Sequence, residues 1–472
     1  VAALCGRADA GSRVVVSTTR PKQIHLAAHF PGVNNTTVWS DPSSGSQIDF
    51  SSFVHLAQAA ERGKFDFFFL AEGLRLREHR GRIFDLDVVG RPDSLTVLAA
   101  LAAVTDRIGL AATLNTTFNE PYELARQFAT LDHLSNGRAA WNAVTSPDAF
   151  TGENFRRGGY LDHDLRYERA AEFITTSKEL WDSWDDDAIV ADKGRGEFVR
   201  PGSIRRFEHH GDEFDIHGYF NVPRSPQRYP VQIQAGDSDG GRELAARYAD
   251  VIFSRHSSLA DGQAFYADVK ERLERYGRQP GDLKIIPAAV AIVGDSESDA
   301  HERAREIHRQ QVSPQGAIAF LEQVWGRDLS AYDPDGPLPE ADPDVDGTIK
   351  ITRGRVRHTK DPLAVAKQWR ELAEAKSLSI RELIIEVTAR TPFVGTPGQV
   401  AEQINQYVQE DAADGYILVP HLTPHGLDEF IDRVVPELQE RGVFRADYEH
   451  DTLRGHLDLP PMAGSAQPRH FG

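Results

Sequence analysis

The chain has 472 residues, with 53 Lys+Arg against 71 Asp+Glu and a formal net charge of −18. A single cysteine, Cys5, excludes an internal disulfide framework and a cysteine-built zinc or iron–sulfur centre. The acidic balance argues against a nucleic-acid partner, and no apolar run of about 18 residues is available to span a membrane.

Residues 1–22 read as a tail without signal-peptide character, so the cytoplasm is the expected compartment. Strand-like and helix-like segments then alternate. Strand Gln23–Phe30 precedes helix Asp49–Gly63, and strand Phe65–Glu72 precedes helix Asp93–Thr105. Strands Ile108–Asn115 and Arg138–Thr145 are followed by helices Pro121–Asn136 and Leu165–Trp184. Strands Tyr229–Gly236 and Ala249–Arg255 alternate with helices Gly240–Tyr248 and Ala260–Gly277. Strand Lys284–Gly294, helix Pro397–Asp411, strand Tyr416–His421 and helix Leu427–Arg441 complete the series. The strands are nearly continuous apolar runs, as in parallel sheets covered on both faces.

This alternation predicts an α/β fold, a (β/α)8 TIM barrel occupying 23–461, with a C-terminal tail at 462–472. Large insertions are expected after strand 4 (146–228) and after strand 7 (295–396). The acidic, proline-rich stretch Tyr332–Gly347 is expected to be exposed and mobile, a lid element. An open doubly wound sheet is the alternative, but no Gly-rich dinucleotide turn follows the first strand.

Barrel chemistry sits at the C-terminal ends of strands. There the sequence places His29, Glu72, Thr113, Asn142, Gly236–Ser238 and His421. The turn Gly236–Gly241 leads directly into a helix, so its backbone N–H groups and the helix N-terminus suit an anion such as phosphate. A plain tight turn capped by Asp237 or Ser238 is the alternative. His163 and Tyr167, four apart at a helix start, can share a ligand. No HExxH or EF-hand spacing is present, so no metal is expected.

The segments FDFFFLAEGLRL (65–76), TTFNEPYELARQFATLDHLSNGRAAWNAVTS (116–146), HDLRYERAAEF (163–173) and FNVPRSPQRYPVQIQAG (220–236) resemble one known family. So do LWDSWDDDAI (180–189), SIRELIIEVT (379–388) and VVPELQERGVFRADYEHDTLRGHLDLP (434–460). The chain is similar to the nitrilotriacetate, dibenzothiophene-sulfone and pristinamycin-synthase component A family of flavin-dependent monooxygenases, within the bacterial-luciferase-like superfamily. The resemblance implies FMN bound non-covalently as FMNH2, O2 as co-substrate, and a flavin peroxide as oxidant. It also implies a separate NAD(P)H-dependent flavin reductase and a homodimer or homotetramer.

Carried over by motif, the flavin contacts fall on Glu72, Thr113, Asn142, His163, Tyr167, Asp237 and Ser238. Thr113, Asn142 and His163 are the implied catalytic residues, and His29, Phe30 and Trp39 are the expected substrate pocket. Glu72 stands where the family usually has Asp, and Asp237 where it has Ser. The expected reaction is oxidation or cleavage of a C–N or C–S bond in a small heterocyclic or polar compound, a catabolic step, with a riboflavin-degrading branch among the relatives. A flavin-binding protein without turnover and a deazaflavin-dependent oxidoreductase are the alternatives.

Overall fold

The computed structural model describes residues 21–34, 36–84, 89–146, 149–155, 163–256, 258–345, 352–353, 361–389 and 392–462. Ten strands form one sheet of parallel pairs, and each of the eight expected strand segments contributes to it. Their order across the sheet begins Lys284–Ile285, Val251–Phe253, Val231–Ala235, Ala139–Val144, Gly109–Asn115. It continues Phe67–Leu70, His25–His29, Gly415–Leu418, Ala288–Val293, Pro392–Gly395.

The expected seventh strand is therefore broken at Ile286-Pro287. Its first part pairs with Val251–Phe253 and its second with Gly415–Leu418. The ladders consequently run as a ten-membered linear order and not as the expected eight-membered ring. Proline lacks the amide donor that a continuous ladder needs at that point.

Side chains alternate between the two faces of a strand, and the two faces build different cores. Ala27, Phe67, Phe69, Ala111, Ala140, Val231, Ile233, Val251 and Ile417 form the inner cluster, joined by Leu453 of the short helix Leu453–His456 and by Leu457 just after it. The alternate residues, among them Leu26, Ala28, Phe68, Leu110, Ala112 and Trp141, meet the apolar faces of the flanking helices. Helix Phe50–Arg62 contributes Phe53, Leu56 and Ala60 to this outer core, and helix Pro121–Leu134 contributes Leu124 and Phe128.

The stretch 146–228 carries helix His163–Asp182 and two hairpins, Ile189–Asp192 with Glu197–Val199 and Phe207–His210 with Asp215–Gly218. Phe207, Phe214 and Phe220 tie it to the outer core. Helix Glu297–Gln311 then follows the Ala288–Val293 strand directly, and three more helices, Pro314–Trp325, Pro362–Lys376 and Ile380–Thr388, share a core of their own around Trp325 and Trp369.

The acidic stretch is exposed but held down, contrary to the expected mobile lid. Arg370 donates to the carbonyls of Pro339, Glu340 and Ala341, and Trp325 Nε1 donates to Ala341 O at 2.9 Å. The amides of Ile380 and Arg381 bond the carbonyls of Gly336 and Pro334. Prolines leave many carbonyls in such a stretch without amide partners of their own, and neighbouring helices supply the donors. Asp346 and Gly347 lie outside the described residues.

Candidate functional site

Thr113 and Asn142 face each other in register on adjacent strands, and both are buried. Each lies two residues beyond a member of the inner cluster, Ala111 or Ala140, so period-two alternation puts both on the inner face. Asn142 Nδ2 donates to Thr113 Oγ1 at 3.0 Å. The Ser94 hydroxyl, at a helix start, fixes the strand end by donating to Thr113 O at 3.0 Å. Among the described residues, Asn142 Oδ1 is buried with no hydrogen-bond partner. A buried acceptor left open carries a free-energy penalty that a bound donor removes.

Glu72 lies just past the Phe67–Leu70 strand. Both its carboxylate oxygens accept from Asn115 Nδ2 at 3.1 Å. Burial pushes its pKa up to about 7, Asn115 opposes that shift, and the charge of Asp93 adds to it. Its protonated form, a donor, is thereby brought towards the neutral range, while its ionised form accepts.

Ser238 caps helix Asp239–Tyr248, its Oγ accepting from Gly241 N at 3.2 Å. Tyr167 OH lies 2.9 Å from the same Oγ, so the helix of the first insertion reaches the turn. The turn is shaped by its glycines. A Cβ on Gly240 would come 3.2 Å from the Tyr167 ring, and one on Gly241 would come 3.1 Å from the Gly236 carbonyl. A narrow turn leading into a helix N-terminus is the local structure that holds a phosphate through backbone amides. The Asp237 side chain is exposed at this turn. The surrounding protein raises its carboxyl above the ordinary range, against the pull of Arg255 and Arg242.

The remaining expected residues scatter. His29 ends its strand on the inner-face parity and meets Phe69 edge-on at 5.4 Å. Phe30, one residue on, turns to the outer core and stacks on Phe53 at 4.0 Å. Trp39 is 56% exposed. His163 opens its helix, and its side chain lies outside the described residues.

One clamp escaped the sequence reading. Glu322 is buried in the apolar helix Pro314–Trp325 and accepts from His79 Nε2 at 2.6 Å, from Arg80, and from Leu329 N at 2.7 Å. It ties helix Pro314–Trp325 to the hairpin Glu78–His79/Arg82–Ile83 beyond Glu72. A lone carboxylate inside the run AIAFLEQVW was the available signal. Arg80 is thereby committed to Glu322 and Asp328.

The family model for luciferase-like monooxygenases matches residues 32–414. The chain is 40% identical over 450 residues to the N-acetyl-S-(2-succino)cysteine monooxygenase of Bacillus subtilis (strain 168), covering 94% of this chain and 98% of that protein. It is 41% identical over 445 residues to nitrilotriacetate monooxygenase component A of Aminobacter aminovorans, covering 91% and 95%. A crystal structure of riboflavin lyase with modified FMN and riboflavin superposes with a TM-score of 0.76 at 28% identity, over 94% of this chain and 100% of that one. A match of this extent, on a parallel α/β sheet with polar residues gathered at its strand ends, places the chain in the bacterial-luciferase-like monooxygenase family as a flavin-dependent monooxygenase.

Proposed function

We propose that the chain is the oxygenase of a two-component system, binding FMNH2 and O2 and receiving its reduced flavin from a separate NAD(P)H-dependent reductase. The observation that carries this reading is the buried Thr113–Asn142 pair with its open acceptor, on the same sheet as the glycine-shaped turn at Ser238. One turn with one helix N-terminus suits the single phosphate of FMN better than a dinucleotide. Glu72, Thr113, Asn142, His163, Tyr167 and Ser238 would hold the flavin, with the amides of 236–241 at its phosphate.

Bound reduced flavin would supply the electrons that activate oxygen. The chain's own part is to hold and shield. Thr113 Oγ1 accepts from Asn142 and keeps its hydroxyl proton to donate, so a developing negative charge nearby meets a preorganised donor. The inner cluster, with Phe69 stacked on Phe253 at 6.1 Å, makes a dry floor under that pair. Of the residues expected at the substrate pocket we keep His29 and Trp39, while Phe30 packs against Phe53 in the outer core.

N-acetyl-S-(2-succino)cysteine and nitrilotriacetate carry C–S and C–N bonds, so we assign this chain a small polar or heterocyclic substrate cleaved or oxidised at such a bond, in a catabolic role. The name "component A" of one relative supports a partner reductase. We also read the sheet as a closed eight-stranded barrel over 23–461, with insertions at 146–228 and 295–396. Ile286 N bonds Ile252 O at 3.0 Å while Asp414 N bonds Ile285 O at 2.7 Å, so one segment bridges both neighbours. Assembly as a homodimer or homotetramer completes the proposal, and light scattering checks it.

The deciding experiment is anaerobic titration with FMNH2, then oxygen, in the presence of nitrilotriacetate, N-acetyl-S-(2-succino)cysteine or riboflavin. Tight FMNH2 binding with product formation is expected. Equal affinity for FAD, or turnover only with a reduced deazaflavin, would overturn the reading.

A further inference from the structure

We propose that His55, His425 and Asp428 form a binding site for a zinc-class divalent ion, separate from the flavin-binding residues. His55 lies on helix Phe50–Arg62, His425 in the loop before helix Asp428–Glu440, and Asp428 at the first position of that helix. His55 Nε2 is 2.9 Å from Asp428 Oδ2 and 3.1 Å from Oδ1, and His425 Nδ1 is 3.1 Å from the same Oδ2. The three ligand atoms lie within 4.8 Å of one another, and the two rings meet with centroids 4.1 Å apart.

A tetrahedral ion with bonds of about 2.0–2.1 Å separates its ligand atoms by about 3.3 Å. The two nitrogen–oxygen separations need to widen by a few tenths of an ångström, and the two ring nitrogens, within 4.8 Å of each other, need to settle at the same spacing. The donor set selects the ion. Two imidazoles and one carboxylate suit zinc, cobalt or nickel, whereas calcium and magnesium require mostly oxygen ligands. The His425 side chain is 57% exposed, so an ion can enter and water can take the fourth position. On binding, each imidazole presents a lone pair at the nitrogen that now faces Asp428, its proton moving to the other ring nitrogen or to solvent.

The position gives the site a role. Thr423 O, in the loop carrying His425, accepts from Gly45 N at 2.6 Å, and His421 O accepts from Val38 N at 2.8 Å. An ion joining the first helix to this loop would therefore brace the 38–45 segment, which carries Trp39. No spacing rule in the sequence could find it, because His55 lies 373 residues before Asp428.

The test uses untagged, chelator-treated protein titrated with Co2+ and with Zn2+. One equivalent per chain is expected, with the visible absorption of four-coordinate cobalt and a zinc-dependent rise in melting temperature. His425→Ala and His55→Gln should each weaken binding by at least about tenfold while FMN affinity stays within about twofold. His55→Gln can still donate to Asp428, so it separates metal ligation from hydrogen bonding. Binding below one equivalent at about 100 µM Zn2+, or equal binding by the His55→Gln/His425→Ala double variant, would show a hydrogen-bonded His–Asp–His cluster only and overturn the proposal.

Discussion

The two ends of the sheet treat buried carboxyl groups in opposite ways. At the N-terminal end, Asp66, Asp250 and Asp414 each stand one residue before a strand and are surrounded by partners. Asp66 accepts from Leu26 N at 2.8 Å and from Arg445 at 2.6 Å; burial works against its ionised form, but the Arg445 and His25 charges hold its pKa down at about 2. Asp250 accepts from Arg454 at 2.7 Å and from Gln232 N at 2.8 Å. Asp414 accepts from Lys270, Tyr266 and Ile285 N. At the other end, the hydrogen-bond partner of Glu72 among the described residues is the Asn115 amide, and burial raises its pKa to about 7. Asn142 Oδ1 there has no partner among the described residues. At one end the carboxylates are met by charged partners and hold the fold; at the other, Glu72 and Asn142 Oδ1 leave capacity open for a ligand.

Substitutions at each end should therefore separate stability from chemistry. The largest effect is expected from Asp250→Ala, which strands the Arg454 charge and should cost roughly 3–5 kcal/mol. Thermal melting should show it, while FMN affinity of the folded protein at low temperature stays within about threefold. An unchanged melting temperature with lost FMN binding would break the division.

Next comes the mouth. Thr113→Val keeps the shape and removes the hydroxyl, and should lower product formation by roughly 10²–10³. FMN affinity should hold within about tenfold, and oxygen consumed should reappear as hydrogen peroxide. Full product yield from both Thr113→Val and Asn142→Ala would remove the pair from the mechanism.

Glu72 sharpens the comparison through pH. Its pKa is higher in the folded chain, about 7, than the ordinary 4.5, so the folded state holds the proton more tightly. That advantage is complete below about pH 4.5 and is lost as pH rises towards 7, at up to ~1.4 kcal/mol per pH unit. Glu72→Gln should flatten the fall in melting temperature over this window. The paired aspartates have the opposite sign, their stabilisation fading only as the solution turns acid. Identical pH profiles for wild type and Glu72→Gln would show that Glu72 is not a buried proton holder.

The smallest expected change is at the turn. Ser238→Asp retains a capping oxygen but adds negative charge beside the proposed phosphate, and should weaken FMN by about tenfold, ~1.4 kcal/mol. Unchanged affinity by fluorescence titration would move the phosphate away from this helix.

Sequence alone determined the strands and most of the outer helices. Runs such as FDFFFLAE are apolar on both faces and too short for helices, so a covered parallel sheet is the only way to bury them. It also set which residues stand at strand ends, because chain order in an alternating fold fixes the end from which each loop leaves. Only the tertiary structure decided what those residues touch. A one-residue step sends His29 to the inner face and Phe30 to the outer core, and strand register settles the Thr113–Asn142 contact. The clamp of Glu322 on His79 spans 243 residues, and the His55–Asp428 contact spans 373. Contacts between residues so far apart leave no local pattern of propensity or spacing; they arise where packing brings separate elements together.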